Sequence, residues 1–200
     1  MTYEAKNYEH LLGTNGFSET LLKTHFTLYQ GYVTNTNKAA ELLKKLEQGT
    51  PEYAEVKRRF GWEYNGMRLH EYYFGGMING GNTLDKESEL MKKIIEDFGS
   101  YENWERDFKA TGAMRGIGWV ILYYDKCGDR LFNCWINEHD EGHLAGAKPL
   151  LVMDVFEHAF ITDYGLKKAD YLNVFFKAIN WEKASQRFDR CAQKSCCNSK

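Results

Sequence analysis

The stretch Leu-Leu-Val-Met-Asp-Val-Phe-Glu-His-Ala-Phe, residues 150–160, constrains this chain more than any other. Residues 150–153 form a continuous apolar run containing the β-branched Val152, which suits a short strand covered on both faces. Asp154 ends the run. Residues 155–160 then read as the start of a helix, with Glu157 and His158 in its first turn. A carboxylate where a buried strand stops and an imidazole four residues later can both aim at one point. An unpaired buried charge is expensive, so Asp154 needs a partner. Two partners stay open: a metal ion held by oxygen and imidazole ligands, or the N–H groups of a helix that Asp154 caps, with His158 an ordinary core residue.

A chain of 200 residues, 43% of them hydrophobic, can build one ordinary core or two small ones sharing an interface. A formal charge of −2 gives nucleic acid and anionic membranes nothing to bind, so neither is expected as a partner. No apolar run approaches the ~20 residues of a membrane helix. The first ten residues lack the basic-then-apolar pattern of a secretory leader, so a soluble, cytoplasmic protein is expected. The five cysteines, at 127, 134, 191, 196 and 197, have no zinc-ligand spacing, and free thiols are expected. Cys127 and Cys134 flank a hairpin turn at Gly128-Asp129, which allows a cross-strand contact. Cys196 and Cys197 fall in a polar tail from about residue 191 that is expected to be mobile.

Along the chain, Ser18 is a plausible N-cap for a helix from residue 19 to about 48. Leu21, Leu22, His25, Leu28, Tyr29, Tyr32, Thr36 and Ala39 recur along it at three- and four-residue steps, so His25 and Tyr32 share the apolar stripe. A second helical stretch, residues 52–77, carries Tyr53, Val56, Phe60, Tyr64, Met67, His70, Phe74 and Met77, with Gly61 and Asn65-Gly66 as potential breaks. Joined by Gly49-Thr50-Pro51, the two predict an antiparallel helical hairpin with one inward histidine on each arm. Either histidine alone would read as a satisfied core residue. Asn79-Gly80-Gly81-Asn82 marks a boundary between an N-terminal part, residues 1–82, and a C-terminal part, residues 83–200. The second part predicts helices over 84–98 and 101–113, then strands over 119–124 and 130–137. The strand at 150–153, a helix over 170–176 and a closing helix to about 190 complete it. The fold class is α+β: a helical hairpin followed by an α/β part with a small antiparallel sheet.

Asp154-Val-Phe-Glu-His158-Ala, followed by Asp170-Tyr171 and Asn180-Trp181, resembles the C-terminal signature of the iron/manganese superoxide dismutases. Gly116-x-Gly-Trp119, Tyr32-Val-Thr-Asn35 and Tyr64-Asn-Gly66 before His70 match the same family, in order from about residue 11 to 190. The resemblance implies dismutation of superoxide at one iron or manganese ion per subunit, held by His25, His70, Asp154 and His158. It implies that Tyr32 links metal-bound solvent to the substrate channel, with Trp119 beside it. His139 stands where many manganese members carry a glutamine, and Gly66 stands at the alternative glutamine position; some iron members have histidine at the first, which favours iron. Glu157 resembles the glutamate that reaches across a homodimer or tetramer interface, and Lys167 a cation of the substrate funnel.

The sequence also departs from the family. Phe156 replaces a tryptophan, and Phe160 replaces a tyrosine. The spacing from His25 to Tyr32 is seven residues, one shorter than usual, which predicts a regular helix with no bulge between them. Leu28 and Tyr29 stand where a gate histidine is usual, so the gate between subunits is expected to be missing. The competing expectation is a metal-binding relative with lost or altered turnover. A non-dismutase oxygen enzyme is the third, opposed by an aromatic lining of Tyr32, Trp119 and Tyr72 that should admit nothing larger than a diatomic molecule.

Overall fold

A computed structural model describes residues 2–192. Cys196, Cys197 and the rest of the expected tail lie outside the described residues, and Cys191 itself belongs to the last helix.

The hairpin is present. Helix α1 spans Glu19–Leu43, and Ser18 caps it by accepting the Leu21 N–H. Helix α2 spans Pro51–Phe74, with Thr50 as cap and Pro51 in its first turn, where a missing N–H costs nothing. One expected end moves and one potential break does not occur. α1 stops at Leu43 instead of running to about residue 48, because residues 44–50 turn to deliver the Thr50 cap. α2 runs unbroken through Gly61 and Gly66. At Gly66 the packing of the Tyr32 ring against the bare backbone offsets the ~1 kcal/mol that helical glycine costs. Because the arms run in opposite directions, His25 near the start of α1 comes level with His70 near the end of α2, ring centres 5.0 Å apart. α1 is α-helical throughout, so the seven-residue step from His25 to Tyr32 is absorbed without a bulge.

After the turn at residues 79–82 come α3 (Glu89–Phe98) and α4 (Tyr101–Ala113). The expected start of α3 at residue 84 is moved to Glu89 because Ser88 caps the helix by accepting the Met91 N–H. Three antiparallel strands follow: β1 (Gly118–Asp125), β2 (Arg130–Asn137) and β3 (Lys148–Asp154), in the order β2-β1-β3. β1 is central and buried nearly throughout. Its register sets Trp119 opposite Asp154 on β3 and Ile136 on β2. The backbone of Gly118 (φ 147°) passes so close to the Ile136 carbonyl that a Cβ there would overlap it. The same register puts Cys134 opposite Ile121 while Cys127 lies exposed in the turn; Cys127, Cys134 and Cys191 are free thiols, and the expected cross-strand contact is absent.

Residues 155–160 are not the expected helix. Phe156 is extended (φ −64°, ψ 153°), with its N–H on Asp154 Oδ1 and the Val155 N–H on the Gly118 carbonyl, so no helix runs through it. A 3-10 turn at Glu157–Ala159 and a short helix α5 (Ile161–Tyr164) follow instead. Helices α6 (Lys168–Phe176) and α7 (Trp181–Ala192) close the chain. The α6–α7 link returns to residues 78–82, bonding the Ile78 and Asn82 N–H groups through the Ala178 and Ile179 carbonyls. Among the described residues, no helix is long and apolar enough to cross a membrane.

Arg187 ties three elements together. Its guanidinium donates to the Leu150 carbonyl of β3 at 2.7 Å and the Tyr72 carbonyl of α2 at 3.2 Å, and lies over the Tyr72 ring. A cation at the carboxyl end of a helix also opposes the helix dipole. Replacing Arg187 with Met, which keeps the stem and removes the donors, is expected to lower unfolding free energy by about 2 kcal/mol, read by urea titration. Unchanged stability would show that water replaces those bonds at no cost.

Candidate metal centre

The four ligand candidates arrive from three places. His25 projects from α1 and His70 from α2; Asp154 ends β3, and His158 sits on the 3-10 turn that follows. Their ligating atoms lie within 4.8 Å of one another. Asp154 Oδ2 is 3.2 Å from His25 Nε2, 3.7 Å from His70 Nε2 and 3.1 Å from His158 Nε2. An ion with ligands at about 2.1 Å would hold neighbouring ligand atoms roughly 3 to 4 Å apart, so the spacing suits a single cation.

Two further observations fit that reading. His25 Nε2 and His70 Nε2 are buried and have no hydrogen-bond partner among the described residues, an expensive state unless a cation takes their lone pairs. The donor set of three imidazoles and one carboxylate contains no thiolate, and suits iron or manganese.

The surroundings prepare these groups. His70 Nδ1 donates to the Gly66 carbonyl at 2.6 Å, which fixes its tautomer and leaves Nε2 as the ligating atom. Burial holds the pKa of His25 below the ordinary histidine value and that of His70 well below it, so both rings stay neutral, as metal ligation requires. For Asp154 burial works upward, but the imidazoles of His158 and His25 outweigh it and keep the carboxyl well below the usual carboxylate range. Asp154 Oδ1 accepts the Phe156 N–H, and its backbone carbonyl accepts the Tyr171 hydroxyl at 2.6 Å.

Tyr32, Trp119 and His139 converge beside the cluster. The Tyr32 ring stacks on His70 at 5.1 Å, and Trp119 meets His70 edge-on at 5.0 Å. Trp119 Nε1–H, which can only donate, points at His139 Nδ1 at 3.0 Å. Burial pushes the His139 imidazole down to about 4, so the ring is neutral near pH 7 and its proton sits on Nε2. That N–H therefore donates to Tyr32 Oη at 2.8 Å, leaving the phenolic hydrogen free to point elsewhere. Burial, then the charge of Asp154, raise the Tyr32 hydroxyl above its usual range, so it remains a proton donor.

A folded histidine pKa below the unfolded value of about 6.5 means that the unfolded chain takes up the proton first. The contribution of His139 to stability is therefore complete above about pH 6.5 and is lost as pH falls towards 4. Between pH 6.5 and 4.5 the wild type is expected to lose about 2 kcal/mol more than a His139→Gln protein. Parallel pH profiles of urea unfolding would contradict this.

Several residues stand elsewhere than expected. Tyr72 is not part of the lining: it lies under Arg187, and Tyr73 instead meets His25 at 5.4 Å and bonds Tyr171 through its hydroxyl. Tyr73 follows His70 by three residues and so shares its helical face, a signal available in the pattern. Lys167 is exposed at the start of α6, while its neighbour Lys168 reaches back to the Met114 carbonyl. Glu157 is exposed, as are Ile161 and Leu166 further along the chain. Phe156, inside the quoted motif, stacks on His158. Trp62 had no motif to reveal it; it packs 4.4 Å from His139, with Arg59 over its ring.

A helical hairpin set against a small sheet, with three imidazoles and a carboxylate meeting in its core, defines a protein built to hold one transition ion. The family model described as iron/manganese superoxide dismutases, C-terminal domain, matches residues 86–187. The chain is 35% identical over 177 residues to a manganese superoxide dismutase of Haloarcula marismortui, covering 86% of each chain. It is 37% identical over 193 residues to an iron superoxide dismutase of Aquifex pyrophilus, covering 91% of this chain and 90% of that one. It is 37% identical over 179 residues to an iron superoxide dismutase of Cupriavidus metallidurans, covering 86% and 89%. The chain belongs to the iron/manganese superoxide dismutase family.

Proposed function

We propose that this protein converts two superoxide anions and two protons into dioxygen and hydrogen peroxide at one iron or manganese ion per chain. The carrying observation is the buried His25, His70, Asp154 and His158 cluster in a chain of this family. The ion supplies a one-electron couple that superoxide can both reduce and re-oxidise. The protein supplies position and protons. Gly66 orients His70, Phe156 N–H steadies Asp154, and Tyr32 holds a transferable proton on the oxygen that His139 supports. Trp119, Tyr73, Phe74 and Phe156 wall the ligands with rings, a lining that suits a small anion better than an organic substrate.

Iron is the metal assigned, on His139 standing where many manganese members have glutamine; relatives of similar identity carry both metal names. Lys167 is assigned to steering the anion. A homodimer or tetramer is proposed across the face bearing Glu157; the 26% exposure of the neighbouring His158 side chain and the 95% exposure of Leu166 support it. The division at residues 79–82 is proposed to separate a helical unit from an α/β unit. A second reading, a relative that kept the metal and lost turnover, draws on Phe160, which has no hydroxyl, and on Tyr29, whose hydroxyl is committed to Glu71.

Purified protein should contain close to one iron or manganese per chain and yield dioxygen and peroxide in equal amounts from superoxide. Folded protein that takes up no metal would overturn the reading. Full metal without turnover would establish the second one.

A further inference from the structure

His143 lies outside the metal cluster, yet it grips the residue that supports Tyr32. Its Nε2 is 2.9 Å from the His139 backbone carbonyl, and its Nδ1 is 2.6 Å from the Tyr123 hydroxyl. A carbonyl can only accept, so Nε2 carries a proton and donates to it, while Nδ1 pairs with the Tyr123 hydroxyl. Tyr123 belongs to the buried central strand β1, so His143 fastens the His139 backbone to the middle of the sheet.

The segment it fastens needs support. His139 lies two residues beyond β2, just after Glu138, which has φ 48° in the left-handed region. Asn137 and Glu141 exchange backbone bonds of 2.9 and 3.3 Å across the base of this loop, and Trp62 Nε1–H holds Glu138 Oε2 at 3.0 Å. Among the described residues, only the His143 bond acts on the backbone of His139 itself. It ends on a carbonyl, so no proton passes from one ring to the other. What it sets is where the His139 ring lies.

We infer that His143, anchored by Tyr123, is a positioning residue that keeps His139 Nε2–H within hydrogen-bond reach of Tyr32 Oη. The catalytic consequence rests on the dismutase reading; the positional one does not. At 2.8 Å, a displacement of about 1 Å takes the His139–Tyr32 pair beyond hydrogen-bond range.

The test compares metal-loaded wild type with His143→Ala, His143→Gln and Tyr123→Phe by crystallography and by superoxide kinetics. His143→Ala should keep its metal, lengthen the His139–Tyr32 separation beyond 3.5 Å by about 1 Å of drift, and lower kcat about tenfold with a smaller change in kcat/KM. Glutamine, whose amide nitrogen can still donate to the His139 carbonyl, should restore both readouts. Tyr123→Phe, which keeps the ring packing, should shift them in the same direction by less. An unchanged His139–Tyr32 separation in His143→Ala would overturn the inference; if that variant does not fold, an unchanged separation in Tyr123→Phe would do so. Should the wild type itself fail to consume superoxide, the separation still decides the matter and only the dismutase reading falls.

Discussion

Asp154→Asn protein is expected to fold, to bind its metal at least about a hundredfold more weakly, and to lose superoxide turnover to the detection limit. The amide has the shape of the carboxylate and keeps an oxygen for the Phe156 N–H, so the end of β3 survives. It lacks the charge. Three neutral imidazoles offer lone pairs but do nothing to neutralise a divalent or trivalent ion in a buried site, and Asp154 is the only carboxylate among the four grouped residues. An amide N–H turned towards His25 Nε2 or His70 Nε2 would also occupy a lone pair that the ion needs. Metal analysis after gel filtration, with unfolding followed in parallel, separates weak binding from misfolding. Full metal content would remove Asp154 from the ligand set.

Gly66→Ala should be the most damaging single methyl in α2. A Cβ there would lie about 2.6 Å from the Tyr32 ring, so the ring must move. The Gly66 carbonyl also receives the His70 Nδ1–H, and any shift of the helix to relieve the overlap disturbs that bond. Overpacking of this kind costs about 1–3 kcal/mol. The larger expected effect is on turnover, a fall of about a hundredfold as Tyr32 is pushed away from His139. A larger side chain, glutamine included, meets the same obstacle first. An alanine variant with wild-type kcat would show that Tyr32 has room to retreat without consequence.

The helical phase made much of the site readable before any coordinates. His25 and His70 fall on the apolar stripes of two helices, and that periodicity survives in the folded hairpin. Asp154 was legible as a charge at the end of an apolar strand, and the strand pairing explains why it lands beside Trp119. Residues 155–160 were not legible as a turn. Their composition suits a helix, but the backbone stays extended at Phe156 (φ −64°, ψ 153°), with the Val155 N–H still bonded to Gly118 across the sheet. The sequence places Tyr72 in the lining where the fold puts Tyr73, since three residues from His70 lies on its face and two does not. Trp62 and His143 had no pattern to betray them; each acts through a partner far away in sequence or through a loop carbonyl. The element ends moved for a local reason, since Thr50 and Ser88 recruit the first free N–H groups and so decide where α2 and α3 begin.

His25 and His70 are mounted on long helices and Asp154 on a strand paired to the central β1, whereas His158 rides on a three-residue turn followed by a four-residue helix. Short pieces with few internal bonds open first in native-state fluctuations. The centre is thus a clasp with three riveted sides and one hinged one, and an ion exchanging with solution would leave by way of the Glu157–Ala159 turn while the rest of the molecule stays closed.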